Sequence, residues 1–376
     1  MSGDARSPVV SGPPPSLPAL PPPSARAAPA TMRAVVFVRP DELSLETIAV
    51  PVPERGQALL RVRASMVCAT DRKVLAGKFA GTAFPHVPGH EFAGDVVALG
   101  LGATGPPVGT RVGVEVHVGC GACARCREGL YNLCLNYGKR ETGHAHIGFT
   151  VPGGLAEYVA VPVAALHALP AGVSYAAGAW TDNLGVALWA LERGRLGAGE
   201  TVAVIGPGAI GLCAAQLARA SGAGRVILVG RGARMARAAA YADLLVEAGD
   251  TAALTGTADL VVEFAGTADA ARDALRIARR GGRVVLGGAT GLGVPLEGVE
   301  LSTIVRGHLD VLGSVANPKG ISARALALLA RGQVAVEPLV THRFPLERFA
   351  EAWQTFVERR DGAIRVMLLP AKEDLS

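Results

Sequence analysis

The chain has 376 residues, half of them hydrophobic and 18% charged, with a net charge of +5 spread over scattered arginines. That length suits two ordinary domains. No apolar run reaches the roughly 18–20 residues of a membrane span, and no basic block is interleaved with aromatics in the way that tracks nucleic acid. Neither a membrane nor a nucleic-acid partner is expected.

Residues 1–31 are proline-rich, as in "SGPPPSLPALPPPSARAAPAT". They hold too few large apolar residues to build a core, and read as a disordered extension or as the product of an upstream start codon assigned in error. The continuous apolar stretch of a secretory signal is missing. The expected setting is therefore the reducing cytoplasm, where structural disulfides are rare.

Met32 opens a first strand, "MRAVVFV", and short β segments between glycine- and proline-rich turns continue to about Trp180. The clearest are "ALLRVRAS", "FAGDVVALG", "TRVGVEVHV" and "LAEYVAVP". Residues 184–191, "LGVALWAL", read as helix. Strand and helix then alternate: "TVAVIG" before a helix over Leu212–Ser221, "RVILVG" before Ala233–Ala242, "DLVVEFAG" before Ala268–Arg279, then "GRVVLGG". Buried hydrophobic strands separated by helices imply an α/β unit with a doubly wound parallel sheet. The C-terminal part reads as helices over Ser322–Leu329 and Leu346–Arg359 and a last strand, "AIRVMLLP".

"VAVIGPGAIGLCAAQLA" sets Gly206, Gly208 and Gly211 in G-x-G-x-x-G spacing between strand and helix, with Ala209 and Ile210 opening the helix. Such glycines permit a tight turn, close approach of backbone to a pyrophosphate, and close packing of helix on strand. The helix N-terminus offers its unpaired N–H groups to phosphate. About 20 residues on, where an acid would bind the ribose 2′-hydroxyl of NAD, stands Gly230, followed by Arg231 and Arg234. Arginine suits a 2′-phosphate, so NADP(H) is favoured over NAD(H).

Cys120, Cys123, Cys126 and Cys134 follow C-x2-C-x2-C-x7-C. Four thiolates this close suit a structural zinc ion whose coordination is complete. An iron–sulfur cluster is the rival, but no proline follows the fourth cysteine and no second cysteine group exists. Upstream, "VCATD" and "VPGHEFAG" bring a thiol (Cys68), an imidazole (His90) and an adjacent acid (Glu91) into a chain already expected to hold zinc and a nicotinamide. A catalytic zinc takes three such ligands and keeps one position open.

These motifs, with "GGLAEYV" (Gly153–Val159) and "GPGAIG", stand in an order that resembles the zinc-dependent medium-chain alcohol dehydrogenases of the polyol and threonine dehydrogenase type. The resemblance covers residues 32 to about 370. It implies a barrel-like, GroES-like, mostly β catalytic domain (32–183 and 320–376) interrupted by a Rossmann dinucleotide-binding domain (184–319). By position it makes Cys68, His90 and Glu91 the catalytic zinc group, and Thr70 the hydroxyl that contacts the substrate oxygen. Asp71 becomes the acid that orients His90, and Arg365 a base within reach of the cofactor pyrophosphate. Asp182, in "TDNLGVAL", falls where the family has another zinc-associated residue. Lys73 stands where some members have a proton-relay histidine. The resemblance further implies two zinc ions per chain and a homodimer or homotetramer. The implied activity is reversible hydride transfer between NAD(P)+ and a small polar or polyol-like secondary alcohol, giving a ketone or aldehyde. An NADPH-dependent ketone reductase is the alternative, and a non-enzymatic dinucleotide- and zinc-binding protein a third.

Overall fold

The computed structural model describes residues 28–288 and 294–370; residues 1–27 of the expected tail and 371–376 lie outside it. The first strand, Thr31–Arg39, begins one residue before Met32 and pairs with Glu42–Ala49 in a hairpin. Ala30 already accepts a hydrogen bond from Val50 N–H, which brings the end of the proline-rich stretch into this register.

Six strands form a parallel sheet: Thr201–Ile205, Arg225–Gly230, Leu244–Glu247, Ala258–Glu263, Ala278–Leu286 and Asp310–Gly313. Their spatial order is third, second, first, fourth, fifth, sixth, the doubly wound arrangement. Alternation along each central strand assigns its side chains to two cores. Val202, Val204, Val226, Leu228, Leu260 and Val262 pack with the helices Thr181–Arg193 and Ala209–Ala220. Ala203, Ile205, Ile227, Val229 and Val261 pack on the other face with the helix Ala268–Ile277. Helices on both faces explain why these strands read as unbroken hydrophobic runs. The helix expected over Ala233–Ala242 is shorter, Arg234–Ala238, because the chain must turn before the next strand begins at Leu244.

A second, seven-stranded sheet is mostly antiparallel and centres on Gln57–Val67. Its neighbours are Glu91–Leu99 and Tyr158–Pro162, together with Arg365–Leu369, a strand from the far end of the chain. Register is what makes a site here. Met66 lies opposite Glu91 and Val366 opposite Val67, so Cys68, His90 and Arg365 emerge together at one end of three adjacent strands.

Candidate active site

Cys68 follows Val67 directly and serves as N-cap of the helix Ala69–Leu75. His90 precedes the neighbouring strand. The two expected motifs that flank it hold each other: Gly153 and Gly154 N–H donate to Val87 and Gly89 carbonyls, and Leu155 N–H to Pro88. A Cβ at Gly153 would overlap the Gly89 carbonyl oxygen, so only glycine lets the segments cross so closely.

The ligand atoms of Cys68, His90 and Glu91 all lie within 4.8 Å of one another. Asp71, fully buried, ties two of these residues together. Its Oδ2 accepts from Cys68 N–H at 2.7 Å, while Oδ1 sits 3.3 Å from His90 Nδ1. That turns His90 Nε2 towards Glu91 Oε1, 3.6 Å away. Thr70 Oγ1 is 3.8 Å from Cys68 Sγ. Burial pushes against a charged His90 ring, yet the negative charge of Cys68 and Asp71 raises it well above the ordinary histidine range. The three donor atoms converge on one point in this pocket, which is what a cation requires. A metal ion meets that demand with soft thiolate, imidazole and carboxylate donors of the kind zinc takes, and the buried Glu91 Oε2 has no other partner.

Two expected members sit differently. Asp182, in the first turn of Thr181–Arg193, is buried near this cluster but outside its tight ligand group. Burial pushes its carboxyl up to about 7, and its Oδ1 has no partner. Arg365, expected at the cofactor pyrophosphate, is turned inward. It donates to Glu91 Oε1 at 2.8 Å and to the Val67 carbonyl at 3.3 Å, with its guanidinium over the Trp180 ring. Its buried Nε makes no hydrogen bond. Asn183 also donates to Glu91 Oε1, at 2.8 Å. No local signal marked Asn183, because its partner lies 92 positions away in sequence.

Cys120, Cys123, Cys126 and Cys134 form the second tight group. Sγ–Sγ distances of 4.0 Å, for Cys120–Cys126 and Cys123–Cys134, rule out disulfides. They approach the spacing of about 3.8 Å that four sulfurs 2.3 Å from one tetrahedral ion would have. Cys120 N–H, Leu135 N–H and Asn136 Nδ2 donate to these sulfurs at 3.4–3.5 Å, as suits thiolates. The lobe is pinned to the chain beyond the parallel sheet through Asn132 Nδ2 to Val315 O and Lys319 N–H to Gly129 O.

At the parallel sheet, Gly206 adopts φ +108° and Gly208 caps the helix Ala209–Ala220, whose first N–H groups, those of Ala209 and Ile210 among them, lie ahead of any intrahelical acceptor. A Cβ at Gly211 would overlap the Gly206 carbonyl oxygen. Gly230 has a packing reason: any side chain there would run into Pro207 and Met235. Arg234 reaches over Gly208, with Nη1 3.8 Å from where a Cβ would stand. Burial, then the neighbouring Arg359, lower the Arg234 pKa. Arg359 comes from the C-terminal return and was not anticipated from sequence. Arg231 is exposed at the same corner.

Comparison with known proteins agrees with this geometry. Residues 54–171 match the family described as "Alcohol dehydrogenase GroES-like domain", and residues 209–331 match "Zinc-binding dehydrogenase". A probable alcohol dehydrogenase of Mycobacterium tuberculosis is 34% identical over 359 residues, spanning 89% of this chain and 96% of its own. A sorbitol dehydrogenase of Halalkalibacterium halodurans is 32% identical over 333 residues, spanning 85% and 93%. The crystal structure of a zinc-binding dehydrogenase from Sinorhizobium meliloti bound to NADP superposes with a TM-score of 0.83 at 31% identity, covering 91% of this chain and all of that one.

Proposed function

The chain belongs to the zinc-dependent medium-chain alcohol dehydrogenase family, and from that premise we propose that Cys68, His90 and Glu91 form its hydride-transfer site, acting on a polar secondary alcohol. The observation that carries this is the convergence of those three ligand atoms, with Asp71 bridging Cys68 and His90. Zinc held there would supply Lewis acidity to the alcohol oxygen, and a nicotinamide dinucleotide the hydride acceptor. The chain's own residues do the rest. Asp71 fixes the tautomer and orientation of His90. Thr70, at the mouth of the short helix, accepts the hydrogen bond of the substrate hydroxyl and starts its proton outward. Lys73, one turn on, stands next along that helix face. Arg365 and Asn183 hold Glu91 by the same carboxylate oxygen, leaving the other for the metal.

The four-cysteine lobe would carry a second, structural zinc, for two per chain. Asp182 joins the catalytic group from its margin, directly or through water. The division into 32–183 with 320–376, and 184–319, is supported by the pairing of Arg365–Leu369 with Gln57–Val67. NADP(H) is the preferred cofactor. Gly230 leaves no room for an acid, and Arg234 and Arg359 stand close together, an arrangement that suits a 2′-phosphate. The same corner favours the alternative direction, reduction of a ketone by NADPH. Free thiols suit the cytoplasm. No helix among the described residues is long and apolar enough to cross a membrane. A homo-oligomer is supported by the edge strand Asp310–Gly313 and the adjoining Leu301, Val305 and Val315, which are 59–76% exposed. A screen of secondary alcohols with NADP+ and NAD+, with and without chelator, tests the function. Chelator-sensitive turnover supports it, and turnover indifferent to metal removal overturns it.

A further inference from the structure

The chain that leaves the four-cysteine lobe packs directly on His90. The lobe is inserted between two short strands, His117–Val118 and Ala145–His146, whose antiparallel pairing sets His117 opposite His146. Their imidazoles stack, with 4.6 Å between centroids and 13° between planes. Phe149 follows, its ring centroid 4.1 Å from that of His146 and 4.6 Å from that of His90. Gly148, at φ +79°, meets the same ligand through the backbone. A Cβ there would lie 2.7 Å from the Gly89 carbonyl oxygen and 3.1 Å from His90 Cβ. A continuous row of rings (His117, His146, Phe149, His90) therefore joins the neck of the lobe to a metal ligand.

Four consecutive residues just after Cys134 hold both the sulfurs and this row. Leu135 N–H donates to Cys123 Sγ at 3.5 Å, and Asn136 Nδ2 to Cys120 Sγ at 3.4 Å. Tyr137 then places Oη 2.6 Å from His146 Nδ1. Gly138 N–H donates to His144 Nδ1 at 3.1 Å, so His144 carries its proton on Nε2 and donates it to His117 Nε2 at 2.9 Å. Plain core packing would not call for these imidazoles. Burial pushes His117 down to about 3 and leaves its Nδ1 without a partner, a cost that hydrocarbon rings would avoid. What the imidazoles add is hydrogen bonding to the turn that also grips the sulfurs. At the other end, Asp71 holds His90 by one edge, at Nδ1, and the tilt of that ring is left to what packs on its face.

We propose, resting on the hydride-transfer site described above, that Tyr137, His146 and Phe149 are positioning residues for His90, through which the metal-filled lobe sets the tilt of the ring. Metal affinity at Cys68–His90–Glu91 then depends on whether the lobe is filled. An empty lobe loses the thiolate acceptors that fix residues 135–138, and the hold on His146 and His144 loosens with them.

Chelator competition on the zinc-loaded enzyme tests this, with Cys68→Ser identifying the release step that belongs to the lobe. Phe149→Leu, which keeps an apolar side chain, should weaken metal binding at Cys68–His90–Glu91 by about ten- to a hundredfold and leave the lobe within about twofold. Tyr137→Phe, which touches no ligand, should weaken the same site by roughly three- to tenfold. Cys134→Ser, which empties the lobe, should weaken it by about five- to a hundredfold. In the double variant Cys134→Ser/Phe149→Leu the loss should fall short of the product of the two single losses, because each change breaks the same row. Unchanged affinity at Cys68–His90–Glu91 in Phe149→Leu and Tyr137→Phe overturns the proposal. So does a parallel loss at both metal sites with a lower unfolding midpoint, which is what general loosening would give. Should Cys134→Ser not fold, the two ring variants decide. A wild type that binds both zinc ions but turns over no alcohol ends the hydride-transfer reading, while these affinities still decide the positioning role. A wild type that releases zinc only from the lobe overturns the positioning role.

Discussion

Replacing Asp71 by asparagine separates a metal-orienting role from a helix cap. Asp71 is fully buried, accepts Cys68 N–H at 2.7 Å, and sits 3.3 Å from His90 Nδ1. Asparagine keeps an oxygen for the Cys68 N–H, so the metal-free fold should lose less than about 1 kcal/mol, the scale of a cap. What it removes is the carboxylate charge that fixes the proton of His90 on Nδ1 and leaves Nε2 to bind metal. Loss of such a partner costs about ten- to a hundredfold in metal affinity or activity, which is about 1.4–2.8 kcal/mol. Competition with a chelator gives the affinity, and denaturant unfolding of the metal-free protein gives the stability. Metal affinity within about twofold of wild type in Asp71→Asn would show that Asp71 serves the helix and not the metal.

Other outcomes follow from other parts of the structure. Arg234→Ala and Arg359→Ala should each lower kcat/KM with NADP+ about tenfold or more relative to NAD+; steady-state kinetics with both cofactors would show it, and an unchanged ratio would remove the 2′-phosphate assignment. In the four-cysteine lobe, the Asn136 amide pushes Cys120 down to about 6, while burial pushes Cys126 up to about 12. Above about pH 6, Cys120 is already a thiolate, so metal displaces no proton from it. Below pH 6 it displaces one more, so lobe affinity should fall more steeply with acid there. Asn136→Ala should move that break upward in pH, as read by chelator competition across a pH series. Gly153→Ala should destabilise the fold by at least about 1–3 kcal/mol, because its Cβ has no room against the Gly89 carbonyl. A neutral effect in denaturant unfolding would mean that the crossing beside His90 is looser than the structure has it.

Much of this was legible in sequence wherever a local pattern carried it. Alternating strands and helices from Thr201 to Leu286, the short strand Leu244–Glu247 apart, the glycine turn at 206, 208 and 211, and the close grouping of the four cysteines could each be read within a few residues. Cys68 and His90 were legible for a different reason, since thiol and imidazole in a zinc-binding chain are few. The strand Glu42–Ala49 escaped notice because it is polar and half exposed, and Asp310–Gly313 because an edge strand lacks a hydrophobic run. The helix Leu301–Gly307 buries no residue and so shows no apolar stripe. The inward turn of Arg365, the hold of Asn183 on Glu91, and the arrival of Arg359 beside Arg234 depend on register between distant segments. No window of sequence contains those contacts.

The account stands most directly on Cys68. Zinc content measured per chain by elemental analysis, beside alcohol-dependent NADP+ reduction, should give two zinc ions in the wild type. In Cys68→Ser it should give one, with the lobe still metallated and turnover lost. Full turnover in Cys68→Ser would contradict the site at its centre.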